Sequence, residues 1–143
     1  MSDEVISFAE ELGATDLKSV FYNSEYRGLF KRSNYFLLDQ DIFLIIKISR
    51  NKIRPFYGVG KAFLDLFNTL TTKNGNYYFV ALDSPESGWV LSKHQILNMI
   101  SNKTLSCSGD KREYKINDYN LKEQDYFRSV DGFLGKVSKS RTN

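Results

Sequence analysis

The spacing of apolar residues along the chain predicts helices separated by groups of strands. Near the N-terminus, Val5, Phe8, Ala9 and Leu12 recur at intervals of three and four residues. This spacing places them on one face of a helix, which is expected over residues 3–12. The same criterion predicts helices over residues 16–22, with Val20 inward, over residues 58–71 and 92–100 and, more weakly, over residues 121–134. The third of these is expected to begin with a capping box formed by Ser92 and Gln95.

Runs of β-branched and aromatic residues predict a sheet among these helices. Residues 34–38 and 42–49 form an expected hairpin around the polar turn 39–41, and the unbroken apolar run 42–46 is typical of a central strand buried on both faces. A helix between the second and third strands predicts that this pair is parallel. The later strands are expected over residues 77–82, 89–91 and 113–116.

The fold class that follows is α/β or α+β, with a mixed sheet of four to five strands flanked by helices. A length of 143 residues, 41% of them hydrophobic, fits a single packed domain, expected over residues 1–135. Residues 136–143 are expected to form a basic, flexible tail. One cysteine excludes an internal disulfide, and no apolar run reaches the roughly 18 residues of a membrane span. We therefore expect a cytoplasmic protein that does not associate with membranes.

Charge is distributed unevenly along the chain. The formal net charge of +3 combines −5 in residues 1–16 with +8 in residues 17–143. Residues 42–64 contain five basic residues and no acidic one. A positive body attracts nucleic acid, phosphates or an acidic partner.

The loop after the second strand combines these cations with aromatic rings, a combination that suits phosphates and stacked bases. The alternative is a solvated loop whose rings belong to the core. The segment Gly58-Val59-Gly60-Lys61 opens the expected helix, where its glycines allow a tight entry or its N–H groups hold a phosphate. The candidate nucleic-acid-binding residues are Lys31, Arg32, Arg50, Lys52, Arg54, Phe56, Tyr57 and Lys61.

Other residues that could be catalytic or could bind a ligand have simpler structural explanations. His94 is expected to be exposed at a helix start rather than to form a triad with Ser92 and Asp83, because no nucleophile-elbow motif is present. Cys107 lacks the second thiol or the histidine spacing of a metal site, so it is expected to be an inert small residue. Trp89 is expected in the core rather than on a ligand. The sequence therefore predicts no metal site.

The order helix, hairpin, helix, strand over residues 3–100 resembles the core of the PD-(D/E)XK, or restriction-endonuclease-like, superfamily. In that family a Glu-x-Lys element on the second hairpin strand and an Asp on the first bind a divalent metal for phosphodiester cleavage. Lys47 stands where the lysine would, but Ile45 stands where the carboxylate would and cannot bind a hard cation. Asp39 and Asp41 lie in the hairpin turn, about six residues or roughly 20 Å from Lys47.

Pairing from the centre of the turn predicts Ile45 opposite Tyr35 and Lys47 opposite Ser33, which leaves Asn34 as the polar candidate on the first strand. The resemblance therefore implies a degenerate nuclease-like fold that has lost metal-dependent cleavage and needs no cofactor.

The leading hypothesis is a non-catalytic protein that binds nucleic acid, or a nucleic-acid-handling protein, in prokaryotic or phage defence or counter-defence. One alternative is an active Mg²⁺-dependent nuclease with Lys47 as a catalytic residue and a carboxylate relocated from Glu10 or Glu11. The other alternative is a protein-interaction or inhibitor module that uses aromatic patches and the acidic first helix.

Overall fold

The structure, a computed structural model, describes residues 3–32, 34–49, 51–107, 109–110 and 112–142, with side chains through residue 138. The helices are α1 (Asp3–Leu12), α2 (Leu17–Val20), α3 (Lys61–Leu70), α4 (Lys93–Ser101) and α5 (Val130–Thr142). The strands are β1 (Thr15–Asp16), β2 (Tyr35–Leu38), β3 (Ile42–Ile48), β4 (Phe56–Gly60), β5 (Asn76–Leu82), β6 (Gly88–Ser92), β7 (Ser106–Cys107), β8 (Glu113–Asn117) and β9 (Tyr126–Phe127). Short 3-10 turns cover Arg27–Leu29, Asp118–Asn120 and Glu123–Asp125.

The main sheet is mixed and is flanked by helices, as the sequence predicts. Within the described residues it contains six strands in the order β1-β2-β3-β5-β6-β9, rather than four to five. The additional strands β1 and β9 are two residues long, too short to show an alternating pattern. The pair β3–β5 is parallel and is joined through α3, while the other neighbours are antiparallel.

Strand β3 is central, and successive side chains point to opposite faces of the sheet. Leu44 and Ile46 belong to the first core, which lies under α1 and α5, whereas Ile45 belongs to the second core under α2, α3 and α4. All three side chains are fully buried, so the prediction of a strand covered on both faces is confirmed. Lys47, two residues after Ile45, therefore lies on the side of the second core.

A second, three-stranded antiparallel sheet with the order β4-β8-β7 lies against the second core. Its first strand corrects the sequence prediction, which gave a loop up to Tyr57 and a helix from residue 58. Gly60 is extended (φ −64°, ψ 130°), and helix α3 begins only at Lys61. Glycine is unfavourable inside a helix, and glycines carry no side chain that would have shown the strand alternation.

The predicted helix over residues 3–12 is confirmed, and Gly13 follows it with φ +74°, the left-handed conformation that commonly ends a helix. The capping box at the start of α4 is also present: Ser92 accepts from the Gln95 backbone, and the Gln95 side chain accepts from the Ser92 backbone. Val20, expected to point inward, is instead 40% exposed because α2 is a single turn.

The C-terminal part of the chain differs from the continuous weak helix expected over residues 121–134. A 3-10 turn and the edge strand β9 precede α5, which begins at Val130. Residue 136, the predicted start of the tail, lies within α5, and Val137 is buried in the first core. The first residues of that segment therefore pack with the domain. In the described part of the chain, no helix has the length and apolar character needed to cross a membrane.

Candidate nucleic-acid interface

The loop between β3 and β4 is held in place by two polar side chains. The buried hydroxyl of Ser49 donates to the Asn51 carbonyl (3.0 Å) and accepts from the backbone N–H groups of Asn51 and Phe56 (3.2 Å each). The Asn51 side-chain oxygen in turn accepts from the backbone N–H groups of Ile53 and Arg54, both at 3.1 Å. Such side-chain-to-backbone bonds fix a turn without regular secondary structure.

This fixed loop presents charge and apolar surface together. Lys52 and Arg54 are exposed, and Ile53 between them is 92% exposed. Phe56, at the end of the loop, is 47% exposed. A single exposed apolar side chain needs no explanation, so what distinguishes this loop is that Ile53 and Phe56 are exposed beside its cations. Arg50, also predicted to belong to this surface, lies outside the described residues.

The two rings at the start of β4 point in opposite directions. Tyr57 is only 3% exposed, and its hydroxyl donates to the Leu82 carbonyl at 3.1 Å. Burial raises the pKa of Tyr57 to about 12. Of the two candidate rings, Phe56 therefore faces solvent, and Tyr57 belongs to the second core.

The remaining predicted cations are exposed but differ in position. Lys61 begins α3, and its backbone N–H donates to the Arg112 carbonyl at 2.9 Å. The residue that precedes β8 thus occupies this N–H group, which was considered for a phosphate from the sequence. Lys31 and Arg32 precede β2, and the charge of Arg32 acts on both Tyr35 and Lys47, which places Arg32 near the end of β3.

Lys47 lies half-buried beside aromatic rings. Its ammonium is 5.9 Å from the centroid of Tyr35, whose ring stacks on Phe63 at 4.1 Å. Burial lowers the pKa of Lys47 below its ordinary value; the charge of Glu113 partly offsets this shift, and Arg32 adds to it. The carboxylate that acts on Lys47 therefore comes from β8, which the sequence did not indicate.

The groups that a PD-(D/E)XK nuclease would need are placed apart. Ile45 pairs with Tyr35 as predicted and is fully buried. The side-chain amide of Asn34 donates to the Ile46 carbonyl at 2.9 Å, so it serves the hairpin. Asp39 and Asp41 flank the hairpin turn at the far end of β3 from Lys47. Ser33, the predicted partner of Lys47, is outside the described residues.

Neither carboxylate proposed for relocation lies on the side of Lys47. Glu10 and Glu11 are exposed on α1, which covers the first core, whereas Lys47 faces the second. The carboxylate of Glu113 instead lies over Gly58, where a Cβ atom would collide with it. Among the residues that the structure describes, no group of three or more His, Cys, Asp and Glu side chains is placed to hold a metal ion.

The other candidates are engaged in structural contacts or lie at the surface. Ser92 caps α4, and the exposed His94 lies 3.3 Å from the side-chain nitrogen of Asn98. Asp83 accepts from Tyr126 (2.8 Å), and Tyr126 packs edge-on against the half-buried Trp89. These residues do not form the triad considered from the sequence. Cys107 is exposed on β7.

Sequence reasoning missed a group of residues on and after β8. Lys115 reaches the ring of Phe56, and Asn117 bonds to the hydroxyl of Tyr119. A signal was present, because residues 113–117 alternate between polar and large side chains. The strand was expected, but its pairing with β4 was not. No known family model matches the chain, and no match was found among curated protein sequences or solved structures.

Proposed function

We propose that this chain is a non-catalytic nucleic-acid-binding protein whose contact surface is centred on the loop between β3 and β4. The observation that carries the proposal is the fixed loop itself. Its backbone is held by Ser49 and Asn51, while Lys52, Ile53 and Arg54 face solvent together. A preformed loop of this kind offers cations to phosphates with little ordering cost on binding.

The charge distribution supports nucleic acid as the target. Residues 17–143 carry a net +8, and the loop contributes cations without a neighbouring acid in sequence. Neutralised phosphates release counterions, so such a surface binds nucleic acid most strongly at low salt. A nucleic-acid-handling protein with an acidic surface is the other target compatible with this charge.

The non-catalytic part of the proposal rests on the placement of the candidate catalytic groups. Lys47 faces Tyr35 at the end of β3, whereas Asp39 and Asp41 flank the turn at its beginning. A metal-dependent nuclease needs oxygen ligands gathered within bonding distance of one ion.

A degenerate restriction-endonuclease-like core belongs to the same proposal. It is supported by the order α1, hairpin β2–β3, α3 and β5, with β3 and β5 parallel. Prokaryotic or phage defence or counter-defence is the setting that this resemblance implies, and a cytoplasmic location remains a prediction.

The test is fluorescence anisotropy of labelled oligonucleotides across a salt series. We expect affinity to fall with salt, and the double variant Lys52→Ala/Arg54→Ala to weaken binding and flatten the logarithmic salt slope by about 1.4 to 1.8, because two phosphate contacts are lost. Lys18→Ala/Lys73→Ala, which removes two exposed lysines outside this loop, is the matched control and should change neither quantity.

Three results would overturn the proposal. A double variant that binds as tightly as the unmodified protein removes the role of the loop. Cleavage of DNA or RNA with Mg²⁺ or Mn²⁺ that stops on Lys47→Ala would establish the nuclease alternative. Stable co-purification with a protein, without affinity for any oligonucleotide at low salt, would establish the interaction or inhibitor alternative.

A further inference from the structure

We infer that the ligand is single-stranded nucleic acid and that its bases stack on the outward face of the second sheet, a conclusion that rests on the proposed function. This outward face is formed by Phe56, Lys115, Asn117 and the adjoining Tyr119. It begins where the loop between β3 and β4 ends, so the two surfaces are continuous.

Strand alternation defines this face. Phe56 on β4 pairs directly with Asn117 on β8, and Gly58 pairs with Lys115. Directly opposed residues of an antiparallel pair point to the same side. Their neighbours Tyr57 and Ile116 are buried in the second core, so the first set must point away from it.

Two exposed rings are each related to Asn117 on the outward face. Phe56 is 47% exposed and Tyr119 is 63% exposed. Asn117 connects them: it stands opposite Phe56 in the register, and its side-chain amide donates to the Tyr119 hydroxyl at 3.0 Å. An isolated exposed ring needs no explanation, but two rings joined through one polar residue form a platform on which successive bases can stack.

Cations border these rings, which makes the face complementary to a phosphate backbone. The ammonium of Lys115 lies 5.8 Å from the centroid of Phe56, and that of Lys122 donates to the Tyr119 carbonyl at 3.1 Å. Lys52 and Arg54 extend the positive charge along the loop.

Acidic groups limit the path that an anionic strand can follow. The carboxylate of Glu113 covers Gly58, and Asp118 is exposed beside Tyr119. The nucleic-acid strand is therefore expected to cross Phe56 and Asn117 toward the loop and to avoid the Gly58 end of the sheet.

The geometry favours a single strand over a duplex. Rings on a sheet surface stack only on bases whose faces are free, and a duplex hides those faces in its own stack. The cations of the loop alone would serve either form, because phosphates are present in both. A binding affinity that depends on the rings therefore distinguishes a single strand from a duplex.

The experiment compares anisotropy of a labelled oligo-thymidine single strand with that of a mixed-sequence duplex of equal length at matched salt. We expect tighter binding of the single strand. Phe56→Ala and Tyr119→Ala should each weaken it by about 5- to 150-fold, the range for losing one base stack, and change duplex binding less. Tyr119→Phe keeps the ring and should retain most of the affinity.

Tyr22→Ala is the matched control, because Tyr22 is 55% exposed and also carries a cation, Arg27, 4.3 Å above its ring. It should bind as the unmodified protein does. If the duplex binds as tightly as the single strand and Tyr119→Ala has no effect, while Lys52→Ala/Arg54→Ala still weakens binding, the inference is overturned and the proposed function stands. If neither oligonucleotide binds at low salt, both are overturned.

Discussion

At the scale of single residues, Ser49 holds the loop between β3 and β4 through its side-chain hydroxyl. One hydroxyl serves two backbone N–H groups and one carbonyl across the loop. A hydroxyl has one proton and two acceptor sites, so all of its hydrogen-bonding capacity is used. The loop backbone that carries the exposed cations is thus held by a side chain that is itself buried.

Replacing Ser49 by alanine should therefore affect both stability and binding. We expect Ser49→Ala to lower the free energy of unfolding by about 1–3 kcal/mol, because buried backbone groups lose their partner. It should also weaken oligonucleotide binding, because the loop must then be ordered by the ligand. Urea unfolding and anisotropy measure the two effects.

Ser24→Ala is the control, since Ser24 makes similar bonds to Phe21 and Tyr26 in another turn. It should lower stability without changing affinity. Equal binding by the Ser49 and Ser24 variants would show that the preformed loop does not matter for the ligand.

Buried tyrosines make the protein sensitive to alkali. Burial raises the pKa values of Tyr35, Tyr57 and Tyr77 to about 12 from an ordinary 10.0. Because the folded-state pKa is the higher one, this contribution to stability is fully present below pH 10 and is lost as pH rises from 10 toward 12.

The variant Tyr57→Phe isolates one of these groups. Near neutral pH it should be less stable by about 1 kcal/mol, because the bond to the Leu82 carbonyl is lost. Above pH 10 the free energy of unfolding should fall less steeply for the variant than for the unmodified protein, because phenylalanine has no hydroxyl to ionise. The pKa shift of Tyr57 from 10.0 to about 12 corresponds to about 3 kcal/mol. Urea unfolding at several pH values measures the difference, with Tyr22→Phe as control. If the free energy of unfolding falls with pH in parallel for Tyr57→Phe and the unmodified protein, the raised pKa of Tyr57 is refuted.

At the scale of secondary-structure elements, β4 joins the core to the candidate surface. One side of the strand contributes Tyr57 and Val59 to the second core, and the other presents Phe56. Binding residues on a strand are positioned by its ladder hydrogen bonds rather than by a mobile loop.

Glycines within the strands allow a direct test of how tightly these elements approach one another. A Cβ atom on Gly88 of β6 would collide with the Ala81 carbonyl and lie 2.8 Å from the Leu82 Cα atom, both in the backbone of β5. Gly88→Ala should therefore destabilise the protein by about 1–3 kcal/mol or more through overpacking. The midpoint of thermal unfolding gives the comparison.

Gly58→Ala is the matched control in β4. Its Cβ atom would meet only the carboxyl end of Glu113, which can move away by rotation of a flexible side chain. It should cost much less than Gly88→Ala. A larger loss for Gly58→Ala would mean that the Glu113 position is rigidly required.

At the scale of the whole molecule, the sequence predicted the parts that depend on local patterns. Helix α1, the hairpin of β2 and β3, and the capping box at Ser92 each follow from residues close together in the chain. The parallel pair was also predictable, because a crossover helix separates its strands. Hydrophobic periodicity and capping chemistry act over such short distances.

The second sheet could not be predicted in the same way. Its strand β4 contains Gly58 and Gly60, which show no alternation, and its partner β8 lies far along the chain. The candidate site was predicted only where it is local, in the cations of the loop and in Phe56 at its end. Lys115 and Tyr119 join it solely through strand pairing, and the diverging directions of Phe56 and Tyr57 become clear only once β4 is known to be a strand.

The pairing of residues 56–60 with residues 113–117 also has a consequence during protein synthesis. A nascent chain that has emerged only through α4 contains the basic loop and much of the main sheet, but not the strand that completes the aromatic face. Long-range pairings of this kind form late, because the intervening chain must first be closed into a loop. Under the proposed function, stacking of bases on both rings therefore becomes possible only after β8 and the Tyr119 that follows it have been translated.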